Sequence, residues 1–160
     1  MRAIRALKLI AALLICQLAG FIGSIFTRTS VQTWYVFLRK PAFTPPDRVF
    51  APVWTALFLM MGAAAFLVWD QAGTAGREKV DRALGAFACQ LALNVSWSLV
   101  FFGLRSPGGA FAVILILWAA IFWTMARFRQ ISRPAALLLL PYLLWVSFAS
   151  VLNAAIFLLN

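Results

Sequence analysis

The chain has 160 residues, 64% of them apolar, with a mean hydropathy of +0.94 and a formal charge of +10. A soluble domain carries roughly 45–50% apolar residues, so an ordinary soluble fold is excluded. Histidine is absent and there are four acids, Asp47, Asp70, Glu78 and Asp81; this removes the commonest general base, metal ligand and haem ligand together, and neither a metal site nor a required cofactor is expected.

Five apolar runs, 7–26, 50–69, 83–104, 108–126 and 135–159, each approach or exceed the roughly 20 residues that cross a bilayer as a helix. Hydrocarbon offers no partners to backbone N–H and C=O groups, so these runs should be helical. The predicted fold is all-α, a single integral membrane domain over residues 1–160 with five transmembrane helices. They are expected at about 7–26, 47–70, 82–104, 107–128 and 134–159, with a long ordered loop at 27–46.

The first run follows Arg2, Arg5 and Lys8, as a secretory signal would, but it exceeds the 7–15 residues of a signal core and continues to Phe26. A retained first helix is expected. The connection after it is unusual, because Trp34, Tyr35, Phe37 and Phe43 alternate with Arg39, Lys40 and Pro41, and Pro45 and Pro46 stiffen its end. Two readings fit. One is an ordered lid; the other is an interfacial aromatic belt, which would account for Trp34 and Tyr35 alone. Length and stiffness favour the lid.

Helix 2 presents Phe50, Trp54, Leu57 and Phe58 on one face. The segment "DQAGTAGREKVDR" (70–82) reads as a solvated loop. In helix 3, Gln90, Asn94, Trp97 and Phe101 form a polar-aromatic stripe at about 100° per residue. Opposite lie Gly85, Ala88, Cys89, Ala92 and Ser96, small residues that let membrane helices approach closely within one chain or between two. Intramembrane amides should face the bundle interior, where Gln90 and Asn94 could serve equally as glue between helices or as part of a binding site. "RSPGG" (105–109) is a tight turn, and "RFRQISRP" (127–134) a basic loop leading into helix 5. Helix 5 aligns Tyr142, Trp145, Ala149 and Asn153, and Pro141 should kink it by freeing the Leu137 carbonyl. Convergence of helices 2, 3 and 5 would make an aromatic pocket with a few polar handles, the general pattern of a small-molecule site.

The cations lie scattered between apolar runs, which suits interface anchoring and topology rather than nucleic acid. Nine Lys/Arg fall at the N-terminus and in the 70–82 and 127–134 connections, against five on the other side, so the N-terminus is expected in the cytoplasm. Cys16 and Cys89 both lie in apolar helices and read as packing residues rather than a disulfide or metal pair.

Three blocks, "WYVFLRKPAFTPPDRVFAPVWTALF" (34–58), "CQLALNVSWSLVFFG" (89–103) and "PYLLWVSFASVLN" (141–153), resemble the TspO/MBR family, the translocator protein or peripheral-type benzodiazepine receptor, in its bacterial form. The resemblance implies a five-helix bundle, often a homodimer, that binds porphyrins, with sterols and benzodiazepine-site drugs as further ligands. It places the pocket beneath the first loop, with Trp34, Tyr35, Trp54, Asn94, Trp97 and Trp145 as primary candidates. Gln90, Pro46, Phe50, Phe58, Phe101, Tyr142 and Ala149 are secondary ones. Phe43 stands where the family commonly has Trp, and "LNAAIFLLN" lacks the Tyr and Lys/Arg of the proposed cholesterol motif, which puts sterol binding there in doubt. The resemblance leaves room for light- and oxygen-dependent porphyrin degradation using Trp54 and Trp145. Conventional acid–base or metal catalysis has few candidate residues, so a binding, transport or sensing role is expected over an enzyme.

Overall fold

Two serines, a pair of prolines and one aspartate set several of the helix starts. Ser106 accepts a hydrogen bond from the Gly109 amide (3.3 Å) ahead of Pro107, and Ser132 accepts one from Ala135 (3.4 Å) ahead of Pro134. Asp47 opens the second helix directly after Pro46, where its charge complements the helix dipole. The computed structural model describes residues 2–160 as six helices and no strand. They are α1 (Arg2–Thr33), α2 (Asp47–Trp69), α3 (Arg77–Ser98), α4 (Pro107–Arg129), α5 (Arg133–Leu138) and α6 (Leu140–Leu159). A 3₁₀ turn lies at Tyr35–Phe37, and a π-helical turn at Leu99–Gly103 extends α3.

Five spans are long and apolar enough to cross a membrane, α5 and α6 together making the fifth. The outward faces fit that solvent: Ile10, Leu14, Leu18, Phe21 and Ile25 of α1 are all exposed. The spans form a ring in which α1 lies between α2 and α3, α4 follows α3, and α5 closes onto α2.

The 27–46 loop is shorter than its composition suggests. Helix α1 continues to Thr33, leaving 34–46 as the connection. Hydropathy marks where hydrocarbon ends, not where a helix ends, and Thr27 and Thr33 return their hydroxyls to the carbonyls of Gly23 and Thr29 (3.1 and 2.7 Å). Likewise α3 starts at Arg77 instead of 82, supported by the i,i+4 pairs Arg77–Asp81 and Glu78–Arg82.

The fifth span breaks at Leu139, two residues before Pro141. Before the break it packs on α2 and α4 alike, and after it chiefly on α4, so α6 leans away from α2 toward the loop end. At the far end Arg5 pairs with Asp70 (2.8 Å), and a Cβ on Gly62 would stand 2.9 Å from the Leu13 Cα. One helix backbone lies directly against the other there. A chamber lies beneath the first loop, lined by α1, α2, α3 and α6.

Candidate functional site

The chamber encloses about 460 Å³ between α1, α2, α3 and α6, within the ordinary range of small-molecule sites. Nine aromatic side chains line it: Phe21, Tyr35, Phe50, Trp54, Phe58, Trp97, Phe101, Phe102 and Trp145. Many lock one another edge-on. Phe50 meets Trp145 with ring centroids 5.9 Å apart, and Trp54 tilts over Phe58 at 5.7 Å. The π turn matters here, because its Leu104 N–H bonds the Leu99 carbonyl (2.8 Å) and its widened register brings adjacent Phe101 and Phe102 inward together, 4.8 Å apart.

Hydrogen bonds fix several of the chamber's polar groups. The Asn94 amide donates to the Tyr142 hydroxyl (2.9 Å), and Trp97 Nε1 donates to Asn153 (3.0 Å), whose own amide donates to the Pro107 carbonyl (2.8 Å). Trp145 Nε1 is buried without any hydrogen-bond partner although its ring lines the chamber. A buried, unpaired donor costs about 1–3 kcal/mol.

The roof is the 34–46 connection, and it is anchored. Tyr35 is only 5% exposed and packs edge-on against Phe101 and Phe102 (6.2 and 5.8 Å), with Lys40 Nζ 4.2 Å from the centre of its ring. Burial, and then the charge of Asp47, push the Tyr35 phenol up to about 12, so it stays neutral and able to donate. Phe43 touches Phe148 of α6 at 6.4 Å. Asn160, just past α6, bonds both the N–H and the C=O of Arg39, each at 3.0 Å.

Of the thirteen residues expected at the site, nine line the chamber: Tyr35, Phe50, Trp54, Phe58, Asn94, Trp97, Phe101, Trp145 and Ala149. The other four stand outside its wall. Trp34 backs Phe101 edge-on at 5.8 Å, Pro46 is exposed at the start of α2, and Tyr142 is buried behind Trp54 with ring centroids 6.3 Å apart. Gln90 lies one turn from Asn94 with both side-chain polar atoms buried and unpaired. Sequence reasoning omitted the α1 wall, which includes Gly20, Gly23, Ser24, Thr27 and Arg28. Their spacing of three to four residues carried the signal, but small residues on an apolar helix read equally as packing. Exposed Phe21 of α1 and Ala51 and Thr55 of α2 also line the chamber, so it reaches the bundle surface between these two helices. The bond from Gln17 Nε2 to the Thr55 carbonyl (3.1 Å) ties the two helices there.

A family model described as the TspO/MBR family matches residues 12–159. The chain is 47% identical over 147 residues to the "Tryptophan-rich protein TspO" of Chlorobaculum tepidum, covering 91% of each. It is 44% identical to the protein of the same name from Archaeoglobus fulgidus, covering 96% of this chain and 97% of the other. To the "Translocator protein" of Homo sapiens it is 40% identical, covering 86% and 80%.

Proposed function

This chain belongs to the TspO/MBR family of multi-pass membrane proteins, and from that premise we propose that its chamber binds tetrapyrroles of the porphyrin or haem type, and similar flat apolar ligands such as sterols or benzodiazepine-site drugs, for transport, sensing or regulation. The observation that carries the reading is the chamber itself, about 460 Å³ walled by nine aromatic rings beneath an anchored roof. Aromatic faces stack on a planar macrocycle and bury it from water, while the Asn94 side chain in the wall is a polar handle for its few polar atoms.

The test is a titration of the protein in lipid nanodiscs with protoporphyrin IX in the dark, followed by tryptophan fluorescence. Trp54→Phe and Trp145→Phe variants run alongside. Saturable quenching that weakens in both variants is the expected result. Linear quenching indifferent to either substitution would sink the tetrapyrrole reading. Because Trp54 and Trp145 both line the chamber, an illuminated repeat is informative: porphyrin lost only in light would favour the photochemical alternative.

The same reading includes a homodimer through the small-residue face of α3, where Gly85, Ala88, Cys89 and Ala92 are exposed and a Cβ on Gly85 would meet nothing within 4 Å. It also places the N-terminus in the cytoplasm, on the strength of the nine-to-five cation bias.

A further inference from the structure

The polarity of the chamber is graded from end to end. Its inner part offers neutral groups, the side-chain amides of Asn94 and Asn153. Its mouth is charged, with Arg28 on α1 and Asp47 at the start of α2 both exposed and both lining the cavity. These two do not pair with each other. The ion pairs among the described residues are Arg5–Asp70, Arg77–Asp81 and Arg82–Glu78, and the Arg28 guanidinium makes no hydrogen bond either.

The two charges are nevertheless not equivalent. Asp47 sits in the first turn of α2, where the helix dipole already favours its negative charge. Lys40, the other cation near the mouth, lies over the Tyr35 ring and is outside the lining. Arg39 and Arg48 are exposed and outside it as well. Among the described residues Arg28 is therefore the one cation of the chamber wall, and it is paired with no carboxylate. It stands two residues beyond Phe26, where the apolar run of α1 ends, so its depth is that of the membrane–water interface.

We propose that Arg28 is the anion-binding residue of this site, holding a carboxylate of a flat ligand at the interface while the apolar body lies inward among the aromatic rings. A guanidinium suits this role because its planar fork matches a carboxylate through two parallel N–H···O bonds. Asp47, which lines the mouth from α2, disfavours an anion on its own side, so the ligand's carboxylates face α1. The site then discriminates by charge as well as shape, favouring an acid over its ester, amide or amine analogue. The inference rests on the reading of the chamber as a binding site for flat carboxylated ligands.

The test compares protoporphyrin IX with its dimethyl ester, titrated in the dark into protein in nanodiscs of zwitterionic lipid only. Parent, Arg28→Gln, Arg28→Lys and Arg48→Gln proteins are run in parallel. Comparing the acid-to-ester affinity ratio between variants cancels the unequal partition of the two porphyrins into lipid. The parent should prefer the acid, and Arg28→Gln should cut that ratio by about three- to tenfold, as for one partly exposed charge-assisted contact. Ester affinity should not change. Arg28→Lys, which keeps the charge but not the fork, should retain part of the preference, and Arg48→Gln should leave it intact. A ratio that survives in Arg28→Gln, or a parent whose ratio equals that of Arg28→Gln, overturns the assignment of Arg28 and leaves the tetrapyrrole reading standing. If neither porphyrin binds saturably to the parent, the tetrapyrrole reading fails and this inference fails with it.

Discussion

A Cβ built on Gly20 would stand 2.6 Å from two atoms of the Phe58 ring, so a larger residue there drives that ring out of its place in the chamber wall. Gly20→Val should therefore weaken porphyrin binding by about tenfold, roughly 1.4 kcal/mol, with helix content unchanged by circular dichroism. Asn94 works by the opposite means, through atoms it supplies. Asn94→Ala strands the Tyr142 hydroxyl in the core, which should cost about 1–3 kcal/mol and lower the melting temperature as well as the affinity. The contrast explains what could be read at this scale. Asn94, Trp54 and Trp145 stood out because amides and indoles are conspicuous on apolar helices, whereas Gly20 and Gly23 contribute space, and missing atoms leave no polar or aromatic mark in a sequence. Tyr35 adds a pH dependence. Its phenol is raised from 10.0 to about 12 by burial and by Asp47, so folding favours the neutral form. The stabilisation is full below pH 10 and is lost as pH rises from 10 to 12. An ultraviolet titration of the parent minus that of Tyr35→Phe should show this late ionisation, and Asp47→Asn should move it earlier.

The elements show how local chemistry places the roof. The kink of the fifth span was legible because Pro141 cannot donate to the Leu137 carbonyl, and the chain breaks at Leu139 as that loss requires. The π turn at Leu99–Gly103 was not legible. Nothing in "LVFFG" forbids an ordinary α-helical register, and the wider turn is selected by packing Phe101 and Phe102 together against Tyr35. The loop was readable as stiff and aromatic but not as latched, since the pairing of Asn160 with Arg39 joins residues 121 positions apart. That latch is polar and exposed, with two hydrogen bonds between the roof and the end of α6. Asn160→Ala should loosen the roof while sparing the chamber. Porphyrin dissociation measured by stopped flow should accelerate by about tenfold, two net hydrogen bonds of about 0.5–1.5 kcal/mol each being reduced by their exposure. Limited proteolysis within 34–46 should quicken in parallel, and an unchanged dissociation rate would show that Tyr35 and Phe43 hold the roof without the latch.

Across the whole molecule the spans do two jobs with one device, the small residue. Gly62 brings α2 hard against the α1 backbone, and the chamber opens on the loop side of that contact. On α3 the small residues Gly85, Ala88, Cys89 and Ala92 stay exposed, and a Cβ on Gly85 would meet nothing within 4 Å. The five-span count and the inward turn of Gln90, Asn94 and Phe101 follow from apolar length and helical period. Whether a small-residue stripe faces a neighbour in the same chain or a second copy does not, because close packing demands the same residues in both cases. The two surfaces respond differently to bulk. Gly62→Val must separate two helix backbones and should destabilise the monomer by about 1–3 kcal/mol. Gly85→Val meets open space in one chain, so it should leave the monomer's melting temperature unchanged and act only where two copies meet. Cysteine chemistry reports on that meeting, because Cys16 is buried and Cys89 is exposed on the α3 face. Mild oxidation in nanodiscs should yield a covalent dimer that Cys89→Ser abolishes, Cys16→Ser does not, and Gly85→Val diminishes. A parent protein that stays a single chain by mass at all lipid ratios would mean that this face meets lipid instead, and that the chamber works within one copy.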